Sequence, residues 1–316
     1  VPFLLDPKLD VVFKRQFAES PDLLLDLINA VRSAAPPVVE LSILNPQILP
    51  EELAGKHIVL DILAMDETGK RFNIEMQTTQ HAGWHLRSVY YLARTLSGQL
   101  QKGERYDLLQ PVIGIHLMDF DLFPAPDQAV WCFELRDRQR PEMRLEQCLE
   151  LHMIEMPKAD QLLKANQLPK ANQLPAQAGA ASQASQALAE WIVYFKHWQE
   201  ETVMQTIERP AIQKAYQHLH ALSGDDLARH QAFVRERALR DEITEKAFAR
   251  REGRAEGRLE GIAIGQARAL RHLLMVKFGQ LPAAIENQIQ QASPEQLESW
   301  FGQALAADQL EHVFGH

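Results

Sequence analysis

The chain has 316 residues, of which 46% are hydrophobic and 24% charged, and a formal net charge of −9. This is the composition of a globular chain with one sizeable core and room for a second module. It excludes a basic whole-protein field, so any affinity for nucleic acid has to come from a local patch or from bound cations.

No apolar run is long enough for a membrane span, and no charged segment followed by an apolar one opens the chain. Neither membrane insertion nor secretion is expected, and the cytoplasm is the default location. Cys132 and Cys148 are the two cysteines. With no CxxC and no neighbouring histidine pattern, neither a disulfide framework nor a zinc site is indicated. The acidity is uneven: residues 1–156 hold 15 Lys/Arg against 23 Asp/Glu, and the remainder 18 against 19.

"KLDVVFKRQF" and "PDLLLDLINAV" read as helices, the second with Pro21 in its first turn behind Ser20 as cap. "VVELSIL" reads as a strand, and "HIVLDILAMDETGKRFNIEMQ" as a hairpin. "AGWHLRSVYYLARTLSGQLQKG" carries apolar residues at 86, 89, 93, 96 and 100, a helical stripe expected to face the core and to end at Gly103. "PVIGIHLMDF", "AVWCFEL" and "LEQCLELHMIEM" read as strands. The hexapeptide KANQLP then occurs twice in tandem, at 164–169 and 170–175. It is too short and polar for a solenoid unit, and marks a linker. The expected division is 1–157, a linker at 158–185, and a helical region at 186–316.

Within that last region Gly253, Gly257, Gly261 and Gly265 recur every four residues. Each costs a helix about 1 kcal/mol relative to alanine. The stripe suggests either close packing of two helices in a homo-oligomer or a weak, frayed helix. "SPEQLESWFGQAL" reads as a helix capped by Ser293 with Pro294 in its first turn.

The hairpin carries the chemistry. Its turn, Asp66-Glu67-Thr68-Gly69, fits a three-residue loop closed by a left-handed glycine. Asp66 then faces Lys70, Asp61 faces Glu75, and Asn73, Glu75 and Gln77 share one face with Asp61. Two opposed carboxylates repel, and burial makes this worse. A shared proton, a nearby basic group or a divalent cation would relieve it, and a hard cation such as Mg²⁺ prefers oxygen ligands of this kind. Alternatively the face is solvated, or a different loop shifts the register and removes the opposition.

An Asp on one arm, a turn, then Glu-x-Lys on the next is the signature of the PD-(D/E)XK nuclease superfamily, here standing as Asp61, Glu75 and Gln77. With "LDPKLDVVFKRQF" and "RSVYYLARTLSGQLQKGERYDLLQPVIGIHLMDFDLF", the first ~160 residues resemble the bacterial Rpn family of recombination-promoting nucleases, also called putative transposases.

The resemblance implies an α/β fold, a restriction-endonuclease-like mixed sheet flanked by helices, followed by an all-helical C-terminal region. It implies a DNA endonuclease using Mg²⁺ or Mn²⁺, with Asp61 and Glu75 as metal ligands and Gln77 positioning water. Gln77 departs from the usual lysine, which puts rate and metal dependence in question. Asp10 would add an accessory carboxylate, or instead pair with Lys14. Arg87 and Tyr91, four apart on the side of their helix away from the apolar stripe, could contact phosphate; simple packing or a solvated face competes. Gln99, His57, the pair His81 and His85, and the run Arg136, Arg138, Arg140 and Arg144 carry weaker signals. A catalytically silent DNA-binding or protein-interaction module that retains the nuclease fold is the alternative.

Overall fold

The computed structural model describes residues 3–45, 62–80, 83–164 and 186–314. Two compact units divide it, 1–238 and 239–316. The first is built on a six-stranded sheet of β1 (Leu41–Ile43), β2 (Ile62–Asp66), β3 (Arg71–Gln77), β4 (Val112–Met118), β5 (Val130–Glu134) and β6 (Leu149–Glu155). Their spatial order is β1-β2-β3-β4-β6-β5. The β3–β4 and β4–β6 pairs are parallel and the others antiparallel. The sheet is therefore mixed, with its parallel strands in the middle and covered on both faces, as parallel strands require.

The hairpin forms with the expected register over its described part: Met65 faces Arg71 and Leu63 faces Asn73. Gly69 sits at φ +86°. The Asp66 carboxylate locks the loop by accepting hydrogen bonds from the Thr68 N–H (2.9 Å), the Thr68 hydroxyl (2.7 Å) and the Lys70 N–H (2.9 Å). This local chemistry explains why the turn is readable from four residues.

One face of the sheet carries Phe72, Ile74, Ile113, Ile115, Leu117 and Ile154, all buried. They form one core with helices α1 (Asp10–Glu19) and α2 (Pro21–Val31). The same core takes in α5 (Gln186–His197) and α7 (Pro210–Gly224), which follow the short α4 (Met156–Lys164) and flank α6 (Glu201–Met204). Phe13, Phe17, Trp191 and Phe195 pack ring against ring with centroids 4.6–6.4 Å apart. Burying each such side chain contributes about 1.5–3 kcal/mol. The helices beyond the KANQLP repeat thus share the sheet's own core. Of the expected linker, residues 158–164 are helical and 165–185 lie outside the described residues.

The opposite face is covered by α3 (Trp84–Ser97), the crossover between β3 and β4. The expected stripe is overturned here. Leu86, Val89 and Ala93 are exposed, and the buried face is Trp84, Ser88 and Leu92. Apolar residues occur all round this helix, so periodicity offers two faces, and the sheet selects the one with the small Ser88 at its centre. Gly114 explains the close fit: a Cβ there would lie 3.0 Å from Leu92 Cδ2 and 2.8 Å from Leu151 Cδ1. The helix also ends at Gly98, one turn before the expected Gly103. Ser20 precedes α2 without a capping hydrogen bond, its hydroxyl lying 3.4 Å from His218 Nδ1 instead.

Helix α8 spans 53 residues (Asp226–Phe278). In the second unit Leu270 and Leu274 of α8 pack with Ile289 of α9 (Ala283–Gln291) and Leu297 of α10 (Pro294–Ala306). Ser293 and Gln296 form a reciprocal capping box at the start of α10. Residues 186–314 contain no strand. No helix among the described residues is long and apolar enough to cross a membrane.

Candidate active site

The strand β4 is buried along its whole length. Its sequence, VIGIHLM, is apolar except for His116, which is fully buried. Beside it, β3 buries Asn73 and Glu75. The parallel register sets Glu75 directly across from His116, and Gln77 across from Met118. Side-chain alternation then puts Asn73, Glu75, Gln77, Gly114 and His116 on the face that α3 covers.

The Glu75 carboxylate is 1% exposed, and its Oε2 lies 3.2 Å from His116 Nδ1. The Gln77 amide Nε2 donates to the same oxygen at 3.4 Å. Neither ring nitrogen of His116 has a hydrogen-bond partner of good geometry among the described residues. Trp84 from α3 closes the back of the site, its ring edge-on to His116 with centroids 5.1 Å apart. A carboxylate, an amide and an imidazole thus meet inside a hydrophobic layer. Burying such groups costs several kcal/mol unless they are paired or hold an ion.

Of the other residues named from the sequence, Asp61 and His81 lie outside the described residues, as does His57. Asp10 opens α1, and its carboxylate pairs with Arg235 at 2.6 Å rather than with Lys14 in the ion pairs described. Arg87 and Tyr91 flank the buried face of α3 and are half-buried, with the guanidinium 5.7 Å from the Tyr91 ring centroid. Arg87 Nε is buried without a hydrogen-bond partner. Gln99 has a structural task, exchanging hydrogen bonds with the Gln110 backbone at 2.8 and 2.9 Å. His85 is exposed. Arg136 and Arg144 both engage Glu134.

Two features were not singled out from the sequence. His116 was detectable as the one polar interruption of an apolar strand, but nothing local announces its partner. The second feature is a lysine cluster where β3 and β4 end. The Asp119 N–H donates to the Gln77 carbonyl at 2.8 Å. The Asp119 carboxylate holds Lys8 at 2.8 Å and Lys196 at 2.6 Å. Two ammonium groups are thereby fixed through one residue bonded to the Gln77 backbone.

The donor set fits a hard divalent cation in part: Glu75 offers carboxylate oxygen, Gln77 and Asn73 offer amide oxygens, and His116 offers imidazole nitrogen. Residues 7–249 match the family described as "PD-(D/E)XK nuclease family transposase". No match was found among curated proteins or among solved structures.

Proposed function

Because the chain belongs to the PD-(D/E)XK nuclease family transposases, we propose that it is a metal-dependent DNA endonuclease that hydrolyses phosphodiester bonds and promotes DNA recombination. The observation that carries this reading is Glu75. Its carboxylate is held in the sheet interior beside Gln77 and His116, and it matches the acidic position of the Asp…Glu-x-Lys signature read from the sequence.

Asp61 and Glu75 would hold Mg²⁺ or Mn²⁺, which supplies Lewis acidity and a water of lowered pKa. Gln77, whose amide keeps a second N–H donor and a carbonyl acceptor beside its bond to Glu75, would orient the attacking water without adding charge. His116, buried against Trp84, would keep the Glu75 carboxylate aimed at the site. Arg87 and Tyr91 would meet the phosphate backbone, Arg87 through a guanidinium suited to phosphate geometry. Asp10 would act as an accessory acid only by exchanging its pairing with Arg235. Self-association through the glycine-striped part of α8 would set two active sites on two strands.

A second reading is a catalytically silent DNA-binding or protein-interaction module. It is favoured by Gln77, where the family motif has lysine, and by the donation of its amide to Glu75.

Incubation of supercoiled plasmid with the purified chain separates the two. The first reading expects nicking that requires Mg²⁺ or Mn²⁺, is stopped by chelation, and is lost by at least a hundredfold in Glu75→Ala and Asp61→Ala. DNA binding without any cleavage under both metals would favour the silent module.

A further inference from the structure

A second cluster lies on the other face of the sheet, at the β5–β6 edge. Cys132 of β5 stands directly across from His152 of β6, and Glu150 is two residues before His152 on the same face. One sulfur, one carboxylate oxygen and one ring nitrogen from these three lie within 4.8 Å of one another. His152 Nε2 and Glu150 Oε1 are 2.5 Å apart.

The cluster opens on a cavity of about 590 Å³ whose lining includes Arg32, Lys70, Arg136 and Arg144. Arg32 is 9% exposed. Its Nε reaches Glu150 Oε1 at 3.3 Å, while its Nη1 is buried with no hydrogen-bond partner. Arg136 and Arg144 are both drawn to Glu134, the remaining acid of the cavity wall.

We propose that Cys132, Glu150 and His152 form a centre for a borderline divalent cation of the zinc type, with its fourth coordination position open to the arginine-lined cavity. Thiolate, imidazole and carboxylate together select such an ion over Mg²⁺, which prefers oxygen alone. The three donors come from two paired strands, so the backbone already holds them near a common point. Arg32 supplies the outer hydrogen bond that ligating carboxylates ordinarily receive. Its open Nη1, with the other cations of the wall, suits an anionic group such as phosphate at the fourth position.

Burial, with Glu150 and Glu134 adding to it, pushes the Cys132 thiol up to about 12. Without a cation the group is a neutral thiol. Coordination forms metal–sulfur, metal–nitrogen and metal–oxygen bonds, releases the thiol proton to solvent and replaces the His152–Glu150 hydrogen bond, the ring keeping one proton on the nitrogen that does not bind.

The test uses metal-stripped full-length chain titrated with Co²⁺, which reports thiolate ligation through a sulfur-to-cobalt charge-transfer band. The expected result is a band that corresponds to one thiolate-bound Co²⁺ per chain and is lost on displacement by Zn²⁺. It should be retained in Cys148→Ser and Glu75→Ala and lost in Cys132→Ser. His152→Gln should weaken Zn²⁺ binding at least tenfold. X-ray absorption at the zinc edge, on the unmutated chain, should show a single sulfur at ~2.3 Å with nitrogen and oxygen neighbours at ~2.0–2.2 Å. Absence of the charge-transfer band in the unmutated chain would overturn the proposal. So would its persistence in Cys132→Ser, or a zinc shell without sulfur.

Discussion

Glu75 and His116 face each other across two parallel strands, with Oε2 3.2 Å from Nδ1 and both side chains out of solvent. If His116 serves to aim the carboxylate, its loss should be felt as geometry. We expect His116→Ala to reduce plasmid cleavage at least tenfold and to raise the Mg²⁺ concentration needed for half-maximal rate. His116→Gln, which keeps a polar group, should recover part of both. A variant that folds normally and cleaves at the unmutated rate would remove His116 from the site.

Glu155 is a stability prediction. Its carboxylate, fully buried at the end of β6, accepts from the N–H groups of Leu122 and Phe123, from Trp131 Nε1 (2.7 Å) and from Lys158 Nζ (2.7 Å). Removing one side of a buried pair costs about 3–5 kcal/mol. Glu155→Ala should lose stability of that order in urea unfolding, with Glu155→Gln intermediate. A loss below about 1 kcal/mol, the scale of an exposed pair, would mean that the network is solvated.

A pH dependence follows from Asp160. The carboxylate sits between His197 Nε2 at 2.9 Å and Lys164 Nζ at 2.8 Å. Burial alone would raise its pKa, but the hydrogen bonds from Lys164 and His197 outweigh it and hold the group below the ordinary value. A depressed folded pKa adds stability above the unfolded value, about 3.9, and that stability is lost as pH falls through the folded one. Asp160→Asn should therefore melt below the unmutated chain at pH 7, and the gap should narrow steadily below about pH 4. A gap independent of pH would assign the effect to packing.

The glycine stripe offers a test with opposite signs for its two readings. Gly253, Gly257, Gly261 and Gly265 lie in α8, and a Cβ added at any of them would meet nothing within 4 Å in the chain itself. In a monomer, Gly257→Ala and Gly261→Ala should each stabilise the helix by about 1 kcal/mol. Where two helices pack closely, the same changes should instead weaken association, and leucine at both positions should leave a monomer by light scattering. We expect the second outcome. A chain that is monomeric at high micromolar concentration, and that gains stability from both alanines, would count against it.

What the sequence determined by itself was what neighbours in the chain can decide. The register of the described hairpin pairs followed from a three-residue loop ending in Gly69. The α10 cap followed from Ser293 with Pro294 directly after it, and the all-helical run after residue 186 from its lack of strand pattern. Each rests on hydrogen bonds spanning a few residues.

Tertiary structure decided the rest, where partners are far apart or where local signals compete. The stripe read for α3 turned Leu86 and Val89 inward, and packing against the sheet at Gly114 and His116 buried Leu92 and Trp84 instead. His116 is 41 residues from Glu75 in sequence and becomes its neighbour only through the parallel crossover. Cys132 had no nearby ligand pattern and reached His152 through strand pairing. Asp10 found Arg235 across the fold rather than Lys14 one turn away. In each case the sequence supplied a group able to make the contact, and the choice among possible partners required the packed chain.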